Sequence, residues 1–148
     1  MKKCIHYIVA FFLIFSFVVP STYAATSQVT SDVEIISLKN GNQLKIITTV
    51  SATSRGTVID ASKEFVYENL LGHKFFSYTL MGRFEYNGST SKAIDVTSHA
   101  TIYDSDWTCG SHRESYSGNT VYGSATFGGP YIETIGGSIS CDKNGNIS

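Results

Sequence analysis

The segment YDSDW brings together residue types that can bind a ligand. Asp104 and Asp106 form a D-x-D pair, and carboxylates two positions apart on a strand share a face, where they can hold a divalent cation or act on a sugar. Tyr103 and Trp107 flank the pair, and aromatic rings offer flat apolar surface for stacking. His112 follows shortly after. These residues form a candidate ligand surface.

Each of these residues also has a structural interpretation. Carboxylates between two strands often solvate a turn, and no third ligand completes a metal site here. Trp107 lies two positions before Cys109, and the pattern favours a core aromatic packed against a disulfide over a platform for a sugar. The sequence predicts neither a metal nor a cofactor.

Two alternatives give the region a specific activity. A small secreted hydrolase or cell-wall-directed toxin would use His99 or His112 with Asp104 or Asp106, since catalytic triads have no fixed order in sequence. No serine lies in a G-x-S-x-G turn, however, and the segment HRE that starts at His112 has the composition of a solvated loop.

A carbohydrate-binding module is the other alternative. It predicts exposed, coplanar rings at Tyr103, Trp107, Tyr116 or Tyr122, because sugars stack on flat aromatic faces. The hydrolase or toxin, the carbohydrate-binding module and a non-enzymatic binding domain therefore predict different positions for these side chains.

The first residues have the order of a secretory signal peptide. Lysines precede an apolar stretch from Ile8 to Val19, and small residues come after it. The stretch has about 12 residues, short of the roughly 20 that span a bilayer. We expect cleavage after Ala24, so that residues 1–24 are a signal peptide and residues 25–148 are a single secreted β domain.

The cysteines predict a disulfide. Cys4 leaves with the signal peptide, and Cys109 and Cys141 remain. Exported chains meet oxidising conditions, in which an even number of cysteines tends to pair. We expect a bridge between Cys109 and Cys141, worth roughly 3 to 4 kcal/mol in the chain-entropy model. The alternative is two buried free thiols.

The closing stretch CDKNGNIS places Asp142, Asn144 and Asn146 at alternate positions. A calcium loop needs its glycine at the sixth position and a bidentate acid at the twelfth. Here Gly145 comes too early, so the stretch is better interpreted as a tight turn that follows Cys141 and pins the end of the chain to the Cys109 region.

Alternating apolar residues run through the rest of the chain. Phe76, Tyr78, Leu80, Phe84 and Tyr86 share one parity in FFSYTLMGRFEY, which is typical of a strand with one buried face. Their neighbours Ser77, Thr79, Arg83 and Glu85 are expected to face water or a more polar surface. After the hairpin signal Asn87-Gly88, the strand SKAIDVTSHATIY sets Ile94, Val96, Ala100 and Ile102 on one face.

Further strands predict an all-β fold. VEIISL and QLKIITTV flank another Asn-Gly turn, and NTVYGSATF and YIETIGGSIS flank a glycine-proline turn. Residues 62–72 are compatible with helix or strand, and the alternation of Phe65 and Tyr67 favours an extended stretch. About seven strands with short turns predict an antiparallel β-sandwich, with a partly open β-barrel as the alternative.

Several motifs in residues 61–148 also carry a family resemblance. They are the YNG hairpin within ASKEFVYENLLGHKFFSYTLMGRFEYNGSTSK, the Trp-x-Cys in DSDWTCGS, the run GNTVYGSATFGGP, and the terminal CDKNGNIS. Together they resemble a family of small secreted proteins from Gram-positive bacteria that share a domain of unknown function. The resemblance implies export and a β-rich domain, and it assigns no catalytic or binding residue.

Composition narrows the classes of partner. The formal net charge is −1, which gives no basic surface for nucleic acid, and no membrane contact is expected once the signal peptide is removed. The favoured hypothesis is a secreted, non-enzymatic binding domain. Its expected partners are cell-wall or extracellular proteins or glycans.

Overall fold

The computed structural model describes residues 27–53 and 57–148, so the predicted signal peptide lies outside the described residues. Every regular element in this part of the chain is a β-strand. The strands are β1 (Ser27–Ser37), β2 (Asn42–Thr53), β3 (Val58–Asn69), β4 (Lys74–Tyr86), β5 (Ser91–Ile102), β6 (Thr108–Ser117), β7 (Thr120–Gly128) and β8 (Ile132–Ser140).

The strands form two antiparallel sheets of unequal width. Sheet A has the order β1-β2-β3-β4-β5, and sheet B has the order β6-β7-β8. No strand is hydrogen-bonded into both sheets, and the described strands do not close into a barrel, so the all-β prediction is confirmed in its sandwich form. Among the residues described, no helix is long and apolar enough to cross a membrane.

The parity of β4 is confirmed by burial. The side chains of Phe76, Tyr78, Leu80 and Phe84 are completely buried between the sheets. Arg83 on the opposite face is exposed. Ser77 departs from the expectation, because it is buried on that opposite face, where its hydroxyl lies 3.4 Å from the hydroxyl of Tyr103.

A β-bulge shifts the parity of β5. Gly82 pairs with Val96 and Arg83 with Asp95, but Phe84 pairs with Ala93. A bulge opposes two residues of one strand to one residue of its partner, so the expectation that Ile94 belongs to the core face is wrong. Ala93 is the residue that is buried there.

The structure has one strand more than the sequence predicted. Strand β6 contains the HRE segment that was expected to be a solvated loop, and His112 pairs with Ala125 of β7. From Gly110 to Ser117, β6 is exposed on both faces, so it lacks the apolar alternation that marks a strand. The preference for an extended conformation at residues 62–72 is confirmed up to Asn69, where β3 ends.

Aromatic rings fill the space between the sheets. Phe76 of β4 stacks on Phe127 of β7 at a centroid distance of 4.0 Å and on Tyr67 of β3 at 4.8 Å. Trp107 is 4 % exposed and lies 4.7 Å from Phe76 and 5.0 Å from Tyr131. Trp107 is therefore a core aromatic, as favoured above, but it packs among aromatic rings, and in the described residues no disulfide is present for it to pack against.

The predicted disulfide is not formed, because Cys109 and Cys141 are free thiols. Cys109 pairs with Phe127 near one end of β7, whereas Cys141 is hydrogen-bonded to Asn119, next to the other end. The nine residues of β7 separate them, which is ~26 Å at about 3.3 Å per residue. A disulfide needs Cα atoms within about 7 Å, so this register excludes the bridge.

The unequal sheets leave part of sheet A uncovered. Strands β3, β4 and β5 pack against sheet B. Strand β1 is exposed from Val29 to Ser37, and β2 is half-buried from Asn42 to Ala52. The β1–β2 hairpin therefore extends beyond β8, the edge strand of sheet B.

Candidate functional site

The predicted ligand surface is divided by the fold. Tyr103 is 48 % exposed and Asp106 is exposed in the connection between β5 and β6, but Trp107 of the same connection is buried. His112 is exposed on β6. Of the five predicted residues, the structure keeps Tyr103, Asp104 and Asp106 together at the surface, and it does not add Trp107 to their exposed face.

Asp104 closes its own turn. Its carboxylate accepts a hydrogen bond of 2.9 Å from the backbone N–H of Asp106 and lies 3.1 Å from His73 Nε2. The Asp106 amide, followed by His73, lowers the pKa of Asp104. The described residues contain no cluster of three or more histidine, cysteine, aspartate or glutamate side chains that could hold a metal.

The histidine and carboxylate pairs expected for a hydrolase are not assembled. Asp104 pairs with His73, which sequence reasoning did not select, and the His73 side chain is 57 % exposed. Within the described chain, no hydrogen bond joins His99 or His112 to Asp104 or Asp106. The His73–Asp104 pair links the start of β4 to the β5–β6 connection.

Two of the tyrosines expected for a sugar platform, Tyr116 and Tyr122, point to different sides of sheet B. Tyr116 pairs with Val121, which is buried, and Ser115 pairs with Tyr122. Directly paired residues share a face and successive residues alternate, so Tyr116 lies on the inner side and Tyr122 on the outer side. The two rings do not form one plane.

A hydrogen-bonded group at one end of the sandwich was missed by sequence reasoning. The hydroxyls of Tyr67 and Tyr131 lie 2.6 Å apart, and the side-chain amide of Asn42 donates to both at 3.0 Å. Burial, followed by the Tyr67 hydroxyl, raises the pKa of Tyr131 to about 12. These residues tie the β1–β2 turn and the β7–β8 connection to β3.

A groove lies beside the β1–β2 hairpin, and we call it the inner-face groove. Its volume is about 570 Å³. Ile46, Thr48 and Val50 of β2 form its floor, and Asp32 and Glu34 of β1 form one side. The groove thus combines a half-buried floor with an acidic wall.

The opposite wall of the inner-face groove is the edge of sheet B. Gly136, Gly137 and Ser138 of β8 line it. A Cβ on Gly137 would come within 2.9 Å of the Phe65 ring, so the glycine allows β8 to approach β3. Lys63 Nζ donates a hydrogen bond of 3.0 Å to the carbonyl oxygen of Ser138.

The C-terminal residues close one end of the groove. Ser148 exchanges two backbone hydrogen bonds with Ser140, of 2.9 and 3.0 Å, and Ile147 bridges to Cys141. Asp142 accepts hydrogen bonds from the side-chain amide of Asn146 and from the backbone N–H groups of Asn146 and Asn144, which shape the turn and lower the pKa of Asp142. The closing stretch forms the expected tight turn, but it holds the end of the chain against β8 at Ser140 and not against the Cys109 region, which lies at the other end of β7.

A second depression of about 360 Å³ lies on the outer face of sheet A. Its lining includes Thr49, Ser62 and Met81, with Asp60 and Arg83 at its side. Arg83 Nε lies 2.7 Å from the Asp60 carboxylate, so each already has an ionic partner. The outer depression is smaller than the inner-face groove.

Neither recess was predicted from the sequence. The floor, the acidic wall and the β8 edge come from segments that lie far apart in the chain, and only strand pairing brings them together. One local signal exists, because Asp32 and Glu34 share a parity in β1, which places two acids on one face.

No family model, curated protein or solved structure matches the chain. The family resemblance of its motifs therefore stays a prediction.

Proposed function

We propose that this chain is an exported binding domain that engages an extracellular macromolecule through the inner-face groove. The carrying observation is the mismatch between the five strands of sheet A and the three of sheet B. It leaves Ile46 and Val50, which pack against the core from one side, as the floor of an open groove. Burial of half-exposed apolar side chains against a partner contributes favourable binding free energy, because it removes apolar surface from water.

The sequence supports the location of this activity. Residues 1–24 have the charged start, short apolar stretch and small-residue end of a signal peptide. Mass spectrometry of culture supernatant should find Ala25 as the first residue of the released protein. A full-length product retained in the membrane would contradict export.

Neighbouring residues of β2 give a matched test of the groove. Thr48 lies on the floor of the inner-face groove and Thr49 lines the outer depression. We therefore compare Thr48→Trp, which fills the groove, with Thr49→Trp, which places the same ring on the other face of the same strand. Denaturant unfolding of both variants controls for stability.

The readout is retention of wall fragments and secreted proteins on immobilised domain. We expect the wild type and Thr49→Trp to retain the same material, and Thr48→Trp to retain at least ten-fold less. Equal retention by all forms, or none by the wild type, would contradict the proposed function. Selective loss in Thr49→Trp would transfer the binding site to the outer depression.

A further inference from the structure

We infer that the inner-face groove takes an extended polypeptide strand, which adds antiparallel to β8 and carries a basic side chain between two apolar ones. This inference rests on the proposed function and specifies its partner as a protein segment. Adding a strand to an exposed sheet edge is a common mode of peptide recognition, in which the backbone gives affinity and alternate side chains give specificity.

The edge of β8 that faces away from β7 directs backbone hydrogen-bonding groups towards the groove. Ser140 exchanges its backbone hydrogen bonds with Ser148, on the side away from β7. In an antiparallel strand, alternate residues direct their N–H and C=O to the same side, so Ser138 and Gly136 offer theirs to the groove. Lys63 holds the Ser138 carbonyl, as lysines often protect an edge, and an incoming amide would replace it.

The Ser140–Ser148 pair also sets a register. It shows that this edge of β8 accepts an antiparallel strand, and it places the next pairing positions at Ser138 and Gly136. At the other residues of β8, no described strand pairs with β8 on the side away from β7. A strand in the groove would lie in line with the C-terminal residues.

The width of the groove selects a single segment over a folded domain. The β1–β2 hairpin extends beneath the groove by two strands, which is roughly 10 Å at about 4.8 Å per strand. A second copy that paired through its own β8 would bring its own sheet A into the space that this hairpin occupies. An extended peptide fits without that overlap.

Charge selects the chemistry of the peptide. Asp32 and Glu34 line the groove, and neither forms an ion pair with a described residue. On the floor, Thr48 pairs with Asp32 and Ile46 pairs with Glu34. Lys63 pairs with Thr48 from the other side, so two acids and one base line the groove and the charge of these side chains is net negative. A lysine or arginine above Thr48 is within reach of Asp32, and the net negative lining gives it electrostatic complementarity.

The floor fixes the remaining pattern. Ile46, Thr48 and Val50 are successive inward residues of β2, so they face successive inward residues of a strand laid above them. Apolar side chains match Ile46 and Val50, and a basic one matches the position between them. The predicted recognition pattern is apolar-x-basic-x-apolar.

Capped synthetic heptapeptides test this pattern. The probe has the sequence Thr-Val-Thr-Lys-Thr-Val-Thr, and one control replaces its lysine by glutamate. A second control keeps the side chains but carries N-methyl groups on the amides that would face β8. We expect the lysine peptide to bind the purified domain, and both controls to bind at least ten-fold more weakly by calorimetry.

Two further measurements locate the peptide. The double variant Asp32→Asn, Glu34→Gln should lose the preference for lysine over glutamate, whereas Asp95→Asn, Glu85→Gln, which removes the same charge from the other face, should keep it. Hydrogen exchange should show new protection of the Gly136 and Ser138 amides when the lysine peptide is bound.

The inference is overturned if the lysine peptide does not bind, if N-methylation has no effect, or if those amides gain no protection. A concentration-dependent dimer that protects the same amides without peptide would also overturn it, in favour of a second copy. If Thr48→Trp abolishes capture of extracellular material but the peptides do not bind, the proposed function stands and this inference alone fails.

Discussion

The phenol oxygens of Tyr67 and Tyr131 lie 2.6 Å apart, between β3 and the connection that leads into β8. Asn40 of the β1–β2 turn and Asn42, the first residue of β2, donate hydrogen bonds to both oxygens. This group holds together three parts of the chain at one end of the sandwich. Loss of a hydroxyl from this group should therefore lower the free energy of unfolding.

Tyr131→Phe tests this contact. The variant should lose about 1 kcal/mol of unfolding free energy at pH 8, the net worth of a typical hydrogen bond, while Tyr116→Phe, at an exposed ring, should lose less than about 0.5 kcal/mol. Urea unfolding measures both. Equal losses for the two variants would contradict a structural role for the Tyr67–Tyr131 contact.

The same contact predicts a dependence on alkaline pH. The pKa of Tyr131 is raised from 10.0 to about 12, so the folded state holds the phenol proton more tightly than the unfolded state. The stability from this group is complete below pH 10 and is lost as the pH rises to about 12. The difference in unfolding free energy between the wild type and Tyr131→Phe should therefore become smaller in this pH range. A difference that stays constant would contradict the raised pKa.

Parts of this fold could be predicted because burial of one face leaves a period of two in the sequence. Phe76, Tyr78 and Leu80 show that period and are buried. Strand β6 does not show it, because both of its faces are exposed from Gly110 to Ser117. A strand that buries nothing carries no alternation for the sequence to reveal.

The candidate site could not be predicted in the same way. The inner-face groove exists because β8 ends sheet B above β3 while sheet A continues to β1. The number of strands in each sheet depends on long-range pairing, which alternation within one strand does not encode. The prediction of a disulfide failed for the same reason, since the even number of cysteines does not indicate which end of β7 each cysteine lies beside.

The free cysteines give a direct prediction. Denatured, unreduced protein should take up an alkylating reagent at both Cys109 and Cys141. In the folded protein Cys109, which is half-buried, should react before Cys141, which is fully buried and whose pKa is raised by that burial. Mass spectrometry after alkylation counts and locates the labels. Protein that takes up no label until it is reduced would show that the two thiols are joined after all.

Adjacent residues of β4 test the assignment of its faces. Phe84 is completely buried, so Phe84→Ala should cost about 3 to 5 kcal/mol through lost burial and a residual cavity. Glu85 is 45 % exposed and pairs with Lys92 at 3.0 Å, so Glu85→Ala should stay within roughly 0.5 kcal/mol. Denaturant melts of the two variants measure the difference. A loss for Glu85→Ala as large as that for Phe84→Ala would reverse the assignment.

Substitutions at two glycines distinguish the cost of backbone strain from the loss of packing in the closing stretch. Gly41 and Gly145 have φ angles of 80° and 87°, a region that costs a residue with a Cβ about 1 to 2 kcal/mol. A Cβ on Gly41 would meet nothing within 4 Å, but a Cβ on Gly145 would lie 2.7 Å from the ring of Tyr86. Gly41→Ala should therefore show the cost of strain alone.

Gly145→Ala should show that cost and a further one, because the Tyr86 ring must move or the terminal turn must leave it. The turn is also hydrogen-bonded to the β4–β5 hairpin, through Gly88 and the carbonyl of Lys143. Urea unfolding of both variants should therefore give a larger loss for Gly145→Ala than for Gly41→Ala, with faster hydrogen exchange at Ser140. Equal losses would mean that the closing stretch does not pack on Tyr86, and that Ser148 is not held beside β8 by this turn.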